Sequence, residues 1–371
     1  MKYRHITLLL AAVLTLGSQA MAQRTDANSG ATEIVQTKKM PNALRRKKPS
    51  KAMQAAFAAY LHAIDSLNLT VHSAMVLQHG RVVAEQWMNG SSPTEQHVLN
   101  SVSKTFTSMA VGLAIEQGLL HLDDRVADFF PDKMPPSPSD KLRRITVRHL
   151  LTMNCGHDTD PTASVRNGEG DWVEGFLAYP VEHEPGTRFC YNSLGTYMLS
   201  AIVQKVTGQT VLDYLTPRLF TPLGIEGMTW QQSPQGINCG GLGLFLKTED
   251  LAKMGQLLLQ HGKWKGRQLI PAEWIDEASR EQVPCTPAGM KPADAERRGL
   301  NRENSDWVQG YGYQMWRCRH NAFRADGAAG QYIVVLPDVD AVIVNTAQTG
   351  NMAKELELAW DYLLPALEKK R

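Results

Sequence analysis

The amino-acid sequence predicts an α+β fold: one antiparallel sheet flanked by helices, assembled from both ends of the chain, with a mainly helical lobe inserted between the two contributions. Three observations carry this expectation. Near the start, residues 73–77 and 81–87 are short apolar runs separated by His79-Gly80, the pattern of a β-hairpin. Near the end, residues 332–336 and 341–346 form a second pair of such runs, joined through Pro337-Asp338. Between the two pairs, apolar residues recur mostly at helical spacing.

Taken in order, residues 1–22 combine a basic start (Lys2, Arg4), an apolar run over 6–16 and small residues at Ala20 and Ala22. This reads as a secretory signal peptide cleaved after Ala22, its apolar run too short to span a bilayer, and places the mature protein in the periplasm or outside the cell. Residues 23–50 are polar and end in Arg45-Arg-Lys-Lys48, a flexible basic leader. Residues 53–67 carry Ala and Leu at helical spacing, and the hairpin follows. Val102, Phe106, Met109 and Leu113 mark a helix with one face buried. After Pro131-Asp132 and a Pro/Ser-rich link to residue 139, helices are expected over 145–153, 195–206, 211–219 and 250–260. Strands are expected over 311–316, 332–336 and 341–346. A closing helix over 354–367 carries Leu356, Trp360, Leu363 and Leu367 on one side. The organisation read from this order is a sheet lobe of residues 51–95 plus 305–371 and a helical lobe of residues 96–304. A site at their junction lies in a cleft, where small-molecule pockets commonly form.

Composition narrows the function. The 371 residues are 43% hydrophobic and 20% charged, which is ordinary for a globular protein. Without residues 1–22 the chain holds 37 basic and 37 acidic residues, a balance that gives no support for nucleic-acid binding. No later run is long and apolar enough to be an integral membrane span. Cys155, Cys190, Cys239, Cys285 and Cys318 contain no Cys-x-x-Cys, which removes a zinc ribbon or thioredoxin-like motif. There is no Gly-x-Ser-x-Gly elbow and no His-Glu-x-x-His, so neither an α/β-hydrolase nor a zinc peptidase is indicated. Gly240-Gly-Leu-Gly243 lacks the spacing of a nucleotide loop and reads as a tight turn near the cleft. Gly156-His-Asp-Thr-Asp160 reads as a polar loop, with a cation-binding loop as the alternative, His149 as a structural histidine and Trp172 as either a pocket wall or core. No cofactor or metal is implied.

One stretch carries chemistry. Ser101-Val-Ser-Lys104 sets a hydroxyl three residues before an amine, a spacing that puts both on one face of a helix. With Asn100 as N-cap, Ser101 falls in the first turn, where free backbone N–H groups attract an oxyanion. A serine becomes nucleophilic when a neighbouring base takes its proton, and a desolvated lysine is such a base. Moving a lysine pKa by three units takes roughly 4 kcal/mol of burial or charge repulsion, so the site should be enclosed.

A second block, Glu184-Pro-Gly-Thr-Arg-Phe-Cys-Tyr191-Asn192-Ser193, places a Pro-Gly turn before Tyr-Asn-Ser and a helix. Together with Ile145-Thr-Val-Arg-His-Leu-Leu151, the Gly240 turn with Asp250-Leu-Ala-Lys-Met-Gly255, and Gly330-Gln-Tyr-Ile-Val-Val-Leu-Pro337, the ordered blocks resemble the serine β-lactamase and penicillin-binding-protein superfamily. Class C β-lactamases and related esterases and amidases are the nearest in pattern. The resemblance implies a β-lactamase-like fold and a small-molecule ester, amide or peptide substrate. It further implies Ser101 as the acylated nucleophile, Lys104 as its activating partner, and Tyr191 as general base and later proton donor. Two departures stand out. The family's Tyr-x-Asn ends here in Ser193, its amide moved to Asn192, so the resemblance implies Ser193 and Asn192 as substrate contacts. The family's Lys-Thr-Gly or His-x-Gly strand motif aligns with Ala325-Asp326-Gly327. Asp326 in place of a cationic motif predicts weak or no β-lactam turnover, and Arg324 is expected on the strand face opposite Ala325. The N–H groups of Ser101 and Ala328, the latter just after Gly327, are the expected oxyanion donors. The same acyl-enzyme would serve an acyltransferase, and a pocket without turnover would serve a penicillin-binding sensor.

Overall fold

A computed structural model describes residues 42–369; the expected signal peptide, residues 1–22, and leader residues 23–41 lie outside the described residues. The sheet is built from strands β1 (Arg45–Arg46), β2 (Val71–Gln78), β3 (Arg81–Trp87), β4 (Trp316–Arg317), β5 (Phe323–Gly327), β6 (Gln331–Leu336) and β7 (Ala341–Ala347). Their spatial order is β1-β3-β2-β7-β6-β5-β4, so the N-terminal hairpin meets the C-terminal strands at the β2–β7 pair. All pairs are antiparallel except β1–β3, which makes the sheet mixed.

That parallel edge corrects the expectation of a wholly antiparallel sheet and of a flexible leader reaching residue 50. Residues 45–46 pair with Arg81 and Val82 because the Arg46 guanidinium donates to Glu85 and Glu249, and the Leu44 N–H to Glu249. Both carboxylates lie far along the chain, beyond what local pattern reveals.

The two faces of the sheet alternate as strand geometry requires. Ala74, Val76, Val334 and Ile343 pack against helix α1 (Lys51–Ser66) and the C-terminal helical segment, through Phe57, Tyr60, Ile64, Trp360 and Leu363. Ser50 caps α1 by accepting the Met53 N–H. Met75, Leu77, Ile333, Val335, Val342 and Val344 join the opposite core. Burial on both faces is why these strands read as continuous apolar runs.

That second core encloses helix α2 (Ser103–Glu116), buried on every side from Ser103 to Ala114. It also holds α3 (Ser193–Thr207), which packs on α2, and α4 (Thr248–Leu259), which lies on the sheet. The closing helical segment starts with α5 (Met352–Leu358) and runs on to Glu368 through a π-turn. The strand expected over 311–316 is absent. Tyr311 and Trp316 bridge each other across a turn in which Gln314 has φ of 66° and sends its amide to the Leu150 and Leu151 carbonyls, and regular pairing starts only at Trp316. No helix among the described residues is long and apolar enough to cross a membrane.

Candidate active site

The chain leaves the sheet region, makes a 3-10 turn over Asn100–Val102, and enters α2. Asn100 is not the N-cap expected of it. It sits at φ of 46°, and its amide donates to the Ala328 carbonyl at 2.7 Å, tying the turn to the end of β5. The close approach depends on Gly327: a Cβ there would lie 2.3 Å from the Leu99 carbonyl oxygen and 3.0 Å from the Ser101 nitrogen. Ser101 is partly exposed at this junction, while the first turns of α2 are buried.

Lys104 is 1% exposed, and its amine is ringed by three oxygens. Nζ lies 2.9 Å from Ser101 Oγ, 3.0 Å from Ser193 Oγ and 2.8 Å from the Gly241 carbonyl. Burial drives the Lys104 pKa down to about 7, while Asp160 and Asp326 pull it partly back. The geometry then fixes how a neutral amine bonds. A carbonyl only accepts, so Gly241 takes one N–H; one serine hydroxyl takes the second and the other donates to the nitrogen lone pair, the arrangement with Ser101 as donor being the one that activates it.

Tyr191 completes the group. Lys104 Nζ stands 4.8 Å from the centre of its ring, and the Ser101 hydroxyl lies close enough to the phenol to oppose the rise in its pKa. The ring stacks on Trp316, 5.5 Å between centres, within an aromatic cluster that includes Phe189 and Tyr311. Burial, reinforced by the Asp326 charge, raises the phenol pKa far above its ordinary value, and the Ser101 contact opposes this only in part. Tyr191 therefore keeps its proton at neutral pH.

Ser101, Lys104, Tyr191 and Ser193 thus converge. Gly327 and Ala328 flank Ser101, with the Ala328 N–H outside the turn's hydrogen bonds. Asn192 does not join them. It is 1% exposed; its carbonyl oxygen caps α3 at Gly195, and its nitrogen donates to His157 Nδ1 at 2.8 Å. Asp326 is no bare anion either. Its carboxylate accepts the Arg324 Nε–H at 2.9 Å, and the guanidinium on the same strand face forms an ion pair with it, Nη2 2.8 Å away. Arg324, fully buried, also donates to the Asp306 and Arg317 carbonyls, which leaves it unavailable to a ligand.

Three participants escaped the sequence reading. Asp160 acts on both Lys104 and Tyr191, Trp316 stacks on the phenol, and His157 holds Asn192. The Gly156–Asp160 segment had signalled only a polar or cation-binding loop; its Asp158 is paired with Arg188, His183 and Lys291. Asp158, Asp160, Arg188, Tyr191 and Lys291 line a pocket beside the site. A wider apolar groove between α1 and β3 contains none of the converging groups. His149 caps the Val147–Leu151 helix, and Trp172 packs on Tyr197 in the core.

The Beta-lactamase family model matches residues 68–368. The 6-aminohexanoate-dimer hydrolase of Paenarthrobacter ureafaciens is 25% identical over 299 residues, covering 73% of this chain and 70% of that protein. The lovastatin esterase of Penicillium rubens is 31% identical over 150 residues, 34% of this chain and 37% of its own. Other curated relatives are matched over 30% and 36% of their own length. Among solved structures, a putative 6-aminohexanoate-dimer hydrolase from Bacillus anthracis superposes with a TM-score of 0.67 at 18% identity, covering 88% of this chain and 90% of that one.

Proposed function

The chain belongs to the Beta-lactamase family of serine hydrolases, and from that premise we propose that it is an exported enzyme cleaving an ester or amide through an acyl-Ser101 intermediate. The carrying observation is the Lys104 amine, 1% exposed, with Ser101, Ser193 and Gly241 oxygens at 2.8–3.0 Å. Export rests on the N-terminal sequence. The relatives named as a hydrolase and an esterase support the reaction class.

In this reading the neutral Lys104 amine, rather than Tyr191, takes the Ser101 proton as Oγ attacks the carbonyl carbon. The Ser101 and Ala328 N–H groups receive the developing oxyanion. Tyr191, held protonated by burial and by Asp326, gives its proton to the leaving oxygen or nitrogen and regains one from the Lys104 ammonium. Water then attacks the acyl-enzyme, Lys104 takes its proton, and the acid departs as Ser101 is re-formed. No cation stands at Ala325, and Arg324 is fully buried and ion-paired to Asp326, which favours uncharged acyl groups over substrates anchored by a carboxylate.

The test is a panel of short-chain nitrophenyl esters, a chromogenic cephalosporin and D-amino-acid peptides, run on wild type and Ser101→Ala, with intact-mass analysis after a fluorophosphonate probe. Ester turnover, little or no cephalosporin turnover, and a single adduct lost in S101A are expected. Turnover or labelling that persists in S101A refutes the proposal.

A further inference from the structure

Behind the turn that presents Ala328 lies a carboxyl group the reaction does not use. Glu355 of α5 is 0% exposed. Its Oε1 accepts the Asn345 amide of β7 at 2.9 Å, and that amide also donates to the Tyr60 hydroxyl of α1 at 2.6 Å. Oε2 has no hydrogen-bond partner. It is pressed instead against Gly330, the last residue of the 327–330 turn, where a Cβ would fall 2.0 Å from it. Gly330 stands at φ of 92°, and the turn is closed by its N–H on the Gly327 carbonyl at 3.2 Å. Outside the turn, the Thr349 N–H and the Asn100 amide hold the Ala329 and Ala328 carbonyls. The turn is thus clamped in front by the Ser101 segment and from behind by a buried acid.

We propose that Glu355 is a positioning residue for the 327–330 turn: protonated, it lets Gly330 seat and aims the Ala328 N–H at the oxyanion; ionised, it unseats the turn and lowers turnover at alkaline pH. A carboxylate in this apolar enclosure demands hydrogen bonds or water that its unpartnered oxygen does not have, so ionisation must move the chain in contact with it. Burial holds the Glu355 proton to about pH 8, with the Asn345 bond opposing. The titratable groups facing it are Tyr60 from α1 and Tyr332 from β6, both phenols raised by burial and therefore neutral across this range. Among the described residues Glu355 forms no ion pair with a cation, and its raised pKa is set by burial and Asn345. The inference rests on the reading of Ala328 as an oxyanion donor.

Glu355→Gln keeps the shape and removes the charge. Wild-type kcat/KM for a nitrophenyl ester is expected to fall about tenfold or more between pH 7.5 and 9.5, a fraction of what loss of an oxyanion donor costs, while E355Q falls less than twofold. Amide exchange of the 327–336 segment, compared between the two proteins at equal pH, should be faster in wild type at pH 9.5 and equal at pH 7.5. Melting temperature supplies the sign of the titration. The folded protein holds this proton above the ordinary carboxyl range, so wild type loses stability relative to E355Q as pH rises from that range to about 8. Matching activity profiles refute the positioning role even if the melting temperatures diverge, and matching exchange at pH 9.5 refutes the movement. If E355Q does not fold, wild-type exchange alone decides: no excess opening of 327–336 over neighbouring strands above pH 8 overturns the proposal. Persisting turnover in S101A would instead strike at the acyl-serine reading, a separate outcome.

Discussion

Replacing Lys104 with arginine tests the division of labour in the cleft. The shift from the ordinary 10.5 to about 7 amounts to about 5 kcal/mol in favour of the neutral amine. At pH 7 it leaves about half of the molecules with a free lone pair facing Ser101, against about one in 3,000 for an unshifted lysine. Arginine keeps a cation at the position but holds its proton throughout the accessible pH range. Lys104→Arg should therefore lower kcat/KM for a nitrophenyl ester by about 10²- to 10⁴-fold, the usual contribution of a positioned base. The acid limb of the wild-type profile should climb about tenfold per pH unit below 7 and flatten near pH 7 to 7.5, before the alkaline fall expected from Glu355. Stability gives a second reading with a defined sign. The unfolded chain binds the Lys104 proton up to the ordinary lysine range and the folded one only to about 7, so stability rises with pH across that window; Lys104→Met should lose this slope. Circular dichroism separates a chemical defect from misfolding. A flat wild-type profile between pH 5 and 8, or K104R with near-native turnover, would refute the assignment of the base.

Ser193→Ala removes one of the two acceptors that orient the amine, at 3.0 Å; kcat should drop about tenfold, the value of one such hydrogen bond, with KM little changed in steady-state assays. Gly327→Ala drives a methyl into the Leu99 carbonyl and the Ser101 nitrogen. It should cost about 10²-fold or more in kcat, and a crystal structure of the variant should show the Asn100–Val102 turn displaced. Asp326→Asn strips the buried Arg324 of its counter-charge and should destabilise the protein by about 3–5 kcal/mol in urea unfolding. It also removes the anion that raises the Tyr191 pKa.

Those features of the fold that depend on near neighbours were legible in the sequence. The hairpin, the β6–β7 pair and α1 follow from apolar period and turn residues a few positions apart. Ser101 and Lys104 follow from helical spacing, and Tyr191 from family resemblance. What stayed hidden depends on partners distant along the chain. Residues 45–46 form a strand only because Glu85 and Glu249 reach Arg46. Asn100 looked like a cap because its residue type suits one, yet a tertiary bond to Ala328 overrides that preference. Asn192 looked like a substrate contact but is drawn into a cap and onto His157. Asp160 was marked only as part of a polar or cation-binding loop, since an aspartate in such a loop looks alike whether or not a buried amine lies near it.

The altered third motif explains why base and acid should fall to Lys104 and Tyr191 in that order. A cation beside a phenol lowers its pKa and makes it a base; an anion does the reverse. Here the strand carries Asp326 where the resemblance implies a motif headed by a cation, and Arg324 is bound to that same aspartate and to two carbonyls. The phenol consequently feels burial and a carboxylate, both of which hold its proton. The amine feels mainly burial, which removes its own. In the proposed reaction the proton lost from Ser101 goes to the nitrogen 2.9 Å away, and the phenol supplies the proton of the leaving group. The same substitution deprives the cleft of an anchor for a substrate carboxylate. A single exchange on β5 thereby links the choice of base to the choice of substrate.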